Sequence, residues 1–279
     1  MHKSRPEIVS IITATWNDGA HISECVESVL AQSYKDWEWI IVNNGSTDNS
    51  EVFLSQISDS RITVINLEKN IGVSAGRNIA LERSRGSFIC FLDGDDVLPT
   101  GSISSRVKIF EKDERIGFVD GKVLTVQDSV DNVIATYTPN FKGEPMDRLL
   151  SLDGSVFMGN TWMIRVKSPI QLRFENGLTH GEELLFYIMA LNGMYYDFTE
   201  EPVLFYRKHG PSAMSNIDGQ RDSYVKLISK VDAMQGVTKN QVSRFRKKAA
   251  SIIFKSFLKQ VKPIKAISGA IQILSASNT

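Results

Sequence analysis

The 279-residue sequence predicts an α/β fold: a mostly parallel central sheet flanked by helices, followed by a helical C-terminal extension. Three observations predict it. Short hydrophobic runs alternate with helix-periodic segments through about residue 100, polar turns rich in Asn, Asp and Gly follow those runs, and the last sixth of the chain is strongly basic.

Ile8 to Thr13 is a continuous, β-branched run of the kind found in a parallel strand buried on both faces. After the polar turn Ala14-Thr15-Trp16-Asn17-Asp18-Gly19, the residues Ile22, Cys25, Val26, Val29 and Leu30 recur at helical spacing. Trp39 to Val42 is a second strand, ending in the turn and helix-start signal Asn43-Asn44-Gly45-Ser46-Thr47-Asp48. Ile62 to Asn66 is a third strand, Ser74 to Arg83 a helix and Phe88 to Leu92 a fourth strand. From Ser102 to Phe205 the alternation is less regular: a helix over Ile103 to Phe110, strands at Gly117 to Val126 and Pro202 to Tyr206, a further strand within Val156 to Val166, and a helix over Leu184 to Leu191 led by Glu182 and Glu183. With no internal repeat, these pieces extend one domain to a boundary near residue 216.

Bulk composition excludes several function classes. Hydrophobic residues at 42% and charged residues at 23% exclude disorder. A net charge of zero gives no global attraction to nucleic acid. No segment reaches the ~20 apolar residues that span a bilayer, and no leader pattern is visible, so a cytoplasmic chain, free or peripheral on the membrane's cytoplasmic face, is expected. Cys25 and Cys90 both fall in expected core segments and read as reduced, buried thiols. The charge is unevenly spread: Lys239, Arg244, Arg246, Lys247, Lys248, Lys255, Lys259, Lys262 and Lys265 crowd the tail, and no Asp or Glu follows Asp232.

In open α/β sheets, ligands sit beyond the carboxyl ends of the strands, which places Thr15 to Asp18, Asn43 to Asp48 and Asp93 to Asp96 along one edge. Asp93-Gly94-Asp95-Asp96 puts three carboxylates at the mouth of a hydrophobic strand, an arrangement relieved by a hard divalent cation with phosphate oxygens on its far side. Taken alone it fits an exposed helix-capping turn equally well. In Asn70-Ile71-Gly72-Val73-Ser74-Ala75-Gly76-Arg77-Asn78, two glycines admit close backbone approach, and Arg77 is suited to a phosphate or a strand-end aspartate. This segment lacks the ending of a P-loop, and the first strand lacks a dinucleotide glycine triplet.

Together these stretches resemble glycosyltransferase family 2, whose members are inverting enzymes with the GT-A fold. The family's opening turn Pro-Thr-Tyr-Asn is matched by Ala14-Thr15-Trp16-Asn17, and its Asp-Asp-Gly-Ser-Thr-Asp by Asn43 to Asp48. Its Asn-x-Gly-x-x-x-Ala/Gly-Arg-Asn is met from Asn70 to Asn78, and its Asp-x-Asp by Asp93 and Asp95. The acidic pair opening an acceptor-side helix is matched by Glu182-Glu183, and Tyr-Arg-x-His by Tyr206-Arg207-Lys208-His209 with Ser212 after it. The resemblance implies a nucleotide-sugar half over 1–100, an acceptor half over 101–215 and a basic, largely helical extension over 216–279.

It also implies an enzyme that moves a sugar from a nucleoside diphosphate, UDP favoured, to a hydroxyl of a glycan or lipid-linked saccharide, as bacterial surface-polysaccharide members do. Thr15, Trp16, Asn17, Asn44, Ser46, Gly72, Arg77, Asp93 and Gly94 are then donor contacts. Asp95 and Asp93 hold Mn²⁺ or Mg²⁺, and Arg207 and His209 add positive charge near the diphosphate. Glu183 is the base, with Glu182 the alternative. Two departures matter. Asn43 and Asn44 stand where aspartates are usual, which weakens the preference for UDP over GDP or dTDP. Glu183 is one methylene longer than the usual aspartate.

Trp39 and Trp16 read chiefly as core or wall residues; Trp162 fits a sugar-facing position and core packing alike, and His180 fits the site and a plain loop alike. The tail's basic residues, interleaved with Phe245, Ile252, Ile253, Phe254, Phe257, Leu258 and Val261, predict an amphipathic helix over 239–265. Its apolar side suits an anionic membrane and the catalytic core equally. The rival functions are a sugar-nucleotide-binding protein without turnover and a nucleotidyltransferase; the latter is disfavoured because Ala14 to Gly19 lacks its basic, glycine-rich loop.

Overall fold

The computed structural model describes residues 7–156, 159–166, 172–208 and 216–276. The first half runs β1 (Val9–Thr15), α1 (Ile22–Leu30), β2 (Trp37–Asn43), α2 (Ser50–Ser55), β3 (Ile62–Asn66), α3 (Val73–Leu81), β4 (Phe88–Phe91) and α4 (Ser102–Phe110). It continues with β5 (Ile116–Gln127), β6 (Ser129–Tyr137), α5 (Met146–Leu150), β7 (Met163–Arg165), α6 (Glu182–Ala190) and β8 (Tyr195–Arg207), and closes with α7 (Ile217–Asp232), α8 (Lys239–Lys259) and α9 (Pro263–Leu274).

One eight-stranded sheet has the order β3-β2-β1-β4-β7-β5-β6, with β8 paired to β5. β1, β2, β3 and β4 are parallel, with Ile11 opposite both Trp39 and Cys90. β7 joins β4 antiparallel, and β5 in turn pairs β7 antiparallel. The strands read as unbroken hydrophobic runs because both faces are covered. Ile12, Ile40, Val42, Ile89 and Phe91 enter one core cluster, while Val9, Ile11, Trp39, Ile41, Phe88, Cys90 and Leu92 enter the other. Alternate residues thus feed opposite layers, as the two-residue period of a strand requires.

The second half explains its weak sequence signal. β6 is mostly exposed and pairs β5 across a tight connection through Asp128, at φ +64°. An edge strand wetted on both faces carries no hydrophobic alternation, so the sequence reading missed it. β7 is only three residues long, and β8 is longer than the expected Pro202 to Tyr206.

The amphipathic tail is resolved differently by its two helices. In α8, Val242, Phe245, Ala249, Ala250, Ile253 and Phe257 are buried in the same cluster as Ile12 and Phe91. Of the two alternatives left open for the apolar stripe of 239–265, its α8 part therefore takes the core. Thr238 starts α8 with a capping box, its hydroxyl accepting from Gln241 N while the Gln241 side chain accepts from Thr238 N. Among the described residues no helix is long and apolar enough to cross a membrane.

Candidate active site

The loops at the carboxyl ends of β1, β2 and β4 meet at one edge of the sheet. Thr15 ends β1 buried, and its hydroxyl donates to Asp18 Oδ2 at 2.7 Å. The β1 and β2 loops are sewn together: Asn17 N donates to Ser46 Oγ at 3.0 Å, Thr47 N to Asn17 Oδ1 at 2.8 Å, and Gly19 N to Asp48 Oδ2 at 2.9 Å. Trp16 is 51% exposed at this mouth, so it is not a core residue, whereas Trp39 is fully buried with its indole N–H on Thr13 Oγ1.

The segment before α3 is held against β2 by asparagine side chains. Asn44 Oδ1 accepts from Ile71 N at 2.9 Å, its amide donates to Asn70 Oδ1 at 3.2 Å, and Asn70 Oδ1 also accepts from Gly72 N at 2.8 Å. Asn44 is 2% exposed. Its amide oxygen and nitrogen tie the end of β2 to the segment before α3. Gly72, at φ +91°, lets the chain turn into α3 in a conformation that side chains resist.

Gly94 sits in a tight place: an added Cβ would lie 2.6 Å from both Asp18 Oδ2 and Thr15 Oγ1, so those side chains would have to shift. The turn thereby draws Asp18, Asp93, Asp95 and Asp96 into one electrostatic neighbourhood. Burial, with the charges of Asp95 and Asp93, pushes the Asp18 carboxyl up to about 6, against a hydrogen bond from Thr15 that lowers it. Burial and the same two neighbours hold Asp96 well above the usual carboxylate range. Asp18 is the member of this group that the acidic motif itself does not mark; its sequence signal is an aspartate closely following a buried strand.

Arg77 and Glu183, 106 residues apart in sequence, meet in this site. The buried Arg77 guanidinium donates through one terminal nitrogen to Glu183 Oε1 at 2.9 Å and through the other to Asp93 Oδ1 at 2.8 Å. It also lies 5.3 Å from the Phe174 ring centre and 5.8 Å from that of Phe91. These two carboxylates raise the pKa of the already basic Arg77, outweighing the opposing effect of its burial. Glu182 differs from its neighbour: it is buried, its Oε2 has no hydrogen-bond partner, and burial together with Glu183 raises it to about 7.

Arg207, expected to add positive charge near the diphosphate, makes its side-chain bonds to protein groups around the acidic turn. Its side chain is 2% exposed; Nε donates to Asp95 O at 2.9 Å, one terminal nitrogen to Asp128 O at 2.8 Å and the other to Glu24. Its backbone N–H donates to Asp96 Oδ1 at 2.8 Å, and an antiparallel bridge joins Val97 to Phe205. Arg207 therefore braces the acidic turn from behind, and no sequence signal marks Glu24 or Asp128 as its partners. Trp162 is fully buried with its indole N–H on Val156 O, which removes the sugar-facing alternative. His180 is buried beside Thr179 Oγ1, and His209 and Ser212 lie outside the described residues.

The donor set fits a hard divalent cation. Repelling carboxylates crowd one turn, and Arg77 occupies only one oxygen of Asp93. Among the described residues no three His, Cys, Asp or Glu side chains form a metal cage by themselves. A separate, largely apolar cavity lined by Met146, Met189, Met194 and Met234 opens at the far end of α6, about 12 Å along the helix axis from the acidic pair.

The mixed sheet with its flanking helices is a GT-A fold. The family profile for glycosyl transferase family 2 matches residues 10–172, and the chain belongs to that family. A putative teichuronic acid biosynthesis glycosyltransferase, TuaG, of Bacillus subtilis is 46% identical over 91 residues, covering 32% of this chain and 36% of the relative. The Escherichia coli protein WfaP, a UDP-Glc:α-D-GlcNAc-diphosphoundecaprenol β-1,3-glucosyltransferase, is 40% identical over 108 residues, covering 39% of this chain and 43% of that one. The chain thus matches less than half the length of these two relatives. In fold it is similar to residues 1–349 of Staphylococcus aureus TarS, crystallised with UDP-GlcNAc, with a TM-score of 0.75 at 17% identity over 95% of this chain and 81% of that one.

Proposed function

We propose that this glycosyltransferase moves a sugar, with inversion, from a nucleoside diphosphate donor to a hydroxyl of a lipid-linked saccharide or a growing surface polysaccharide on the cytoplasmic side of the membrane. The observation that carries the reading is the Arg77 bridge. It joins Asp93, in the acidic turn suited to a metal and diphosphate, to Glu183, at the start of the acceptor-side helix.

In this reading Glu183 accepts the proton of the attacking hydroxyl. Arg77 orients its carboxylate at the start of α6. Glu182 is the weaker candidate, because its carboxyl is buried and held toward the protonated form near neutral pH. Asp95 and Asp93 would hold a divalent cation, Mn²⁺ or Mg²⁺, whose chemistry when bound is to stabilise charge on the departing diphosphate. Thr15, Gly94 and the N-terminal turn of α3 shape the space around that diphosphate, and the exposed Trp16 and Asn17 flank the mouth.

UDP is the favoured carrier. Support comes from the E. coli relative, named for a UDP-Glc donor, and from the UDP-GlcNAc complex of the structural neighbour. The lipid-linked acceptor is favoured by the same E. coli relative, named for a diphosphoundecaprenol substrate.

Calorimetric titration with UDP, GDP and dTDP, each with and without Mn²⁺, tests the donor half. Binding of one nucleotide that requires Mn²⁺ and disappears in Asp95→Ala supports it; no nucleotide binding in any condition overturns it. With the donor sugar known, Glu183→Gln is expected to bind donor normally and to lose about 10²–10⁴-fold in transfer. Near-normal transfer by that variant moves the base elsewhere.

A further inference from the structure

α9 is apolar on two opposite faces. Ala266, Gly269 and Ile273 are buried; the ideal Cβ position of Gly269 lies 3.1 Å from Ile253 and 3.2 Å from Phe257, so this face packs tightly on α8. Lys265 Nζ also anchors the helix to Asp218 of α7 at 2.8 Å. The other face carries Ile264, Ile267, Ile271 and Leu274, which are 83%, 58%, 59% and 49% exposed. At 100° per residue these four fall within an arc of about 80°, a continuous aliphatic stripe aimed away from the protein. A helix that needed only to complete the core would carry polar residues on its exposed face.

The turn leading into α9 adds to the stripe. Val261 has φ +58° and is 86% exposed. A β-branched side chain is strained in that region, where Gly or Asn is the inexpensive choice, and here it lies open to solvent among the described residues. Lys255, Lys259 and Lys262 are exposed around the end of α8, and Phe254 and Leu258 are 37% and 44% exposed. No acidic residue follows Asp232. Large aliphatics, adjacent lysines and the absence of nearby acids in sequence complement an anionic lipid surface, whose headgroups meet the lysines while its acyl region receives the stripe.

We propose that α9 and the α8–α9 turn form a membrane-docking surface that lies in the interface of an anionic bilayer through Val261, Ile264, Ile267, Ile271 and Leu274. This differs from a lipid role for the main α8 stripe, which faces the core. The inference does not depend on the donor or acceptor assignment, since vesicle binding and nucleotide binding are separate readouts.

The test is co-sedimentation of the whole chain with vesicles of phosphatidylcholine alone and of phosphatidylcholine mixed with phosphatidylglycerol. The expected result is binding to the anionic vesicles that weakens with salt. Binding should fall at least tenfold in the Ile264→Ser, Ile267→Ser, Ile271→Ser triple variant and several-fold in Lys259→Glu, Lys262→Glu. Both variants should keep wild-type circular dichroism and melting temperature, because none of the replaced side chains is buried. Absence of vesicle binding by the wild-type chain, or equal binding by the folded triple variant, overturns the proposal. So does a wild-type dimer in sedimentation velocity that becomes monomeric in the triple variant without any vesicle binding, which would assign the stripe to a second copy of the chain.

Discussion

Removing the Arg77 guanidinium tests the central geometric claim without requiring a known substrate. In Arg77→Met the hydrophobic stem is retained between Phe91 and Phe174, but Asp93 and Glu183 lose their shared cation. Breaking a buried ion pair from one side costs about 3–5 kcal/mol, because the remaining charge is left without compensation. The side chains of Asp93 and Glu183 are 36% and 17% exposed and regain part of their hydration, which places the expected loss near the lower end, about 3 kcal/mol. At roughly 2–4 °C per kcal/mol for a domain of this size, the melting temperature should drop by about 6–12 °C. The Glu183→Gln change in the Arg77→Met background removes one of the orphaned charges, so a double-mutant cycle should give a coupling of about 1–2 kcal/mol. Urea denaturation of the four proteins in metal-free buffer measures both quantities. A loss under about 1 kcal/mol, or additivity of the two changes, would refute the bridge as the element joining the two halves of the site.

Gly94→Ala should destabilise the protein by about 1–3 kcal/mol and weaken Mn²⁺-dependent nucleotide binding, since its methyl would lie 2.6 Å from Asp18 and Thr15; a variant as stable as wild type would show that the turn yields easily. Asp18 has a folded-state pKa of about 6 against an unfolded value of 3.8. The folded protein therefore holds this proton longer, and the contribution is present below the unfolded value and lost as pH rises through the folded one. Asp18→Asn should then gain on wild type by about 1–2 kcal/mol between pH 4 and pH 7, with partial solvent screening included; chemical denaturation across that range measures it, and a flat difference would show that Asp18 is not raised. Arg207→Met should cost about 2–5 kcal/mol through the unsatisfied carbonyls of Asp95 and Asp128, and amide exchange at Asp96 and Val97 should accelerate. Full stability with only a loss of donor affinity would return Arg207 to the ligand-contact role.

The acidic turn and the glycine segment were legible in sequence because their chemistry is local. Gly94 is required by Thr15 and Asp18, which belong to the neighbouring strand end, and the β-sheet rule puts those ends side by side. Arg77 was legible only as a choice between a phosphate and a strand-end aspartate. Its second partner, Glu183, comes from a helix whose approach to α3 no local pattern encodes. Arg207 carried a motif match that pointed toward the ligand, yet its bonds to Asp95, Asp128 and Glu24 turn it into the support of the turn.

By itself the sequence determined strands β1 to β4, the polar edge they share and the family resemblance, because buried strands and tight turns impose residue patterns over a few positions. Only the tertiary structure decided which carboxylate Arg77 joins to Asp93, where β6 runs, and which of two apolar helical faces is covered. A stripe at helical spacing records that a face is apolar; what lies against it depends on elements distant in the chain. That is why α8 turns its stripe into the core while α9, of similar apolar pattern, leaves Ile264, Ile267, Ile271 and Leu274 outside.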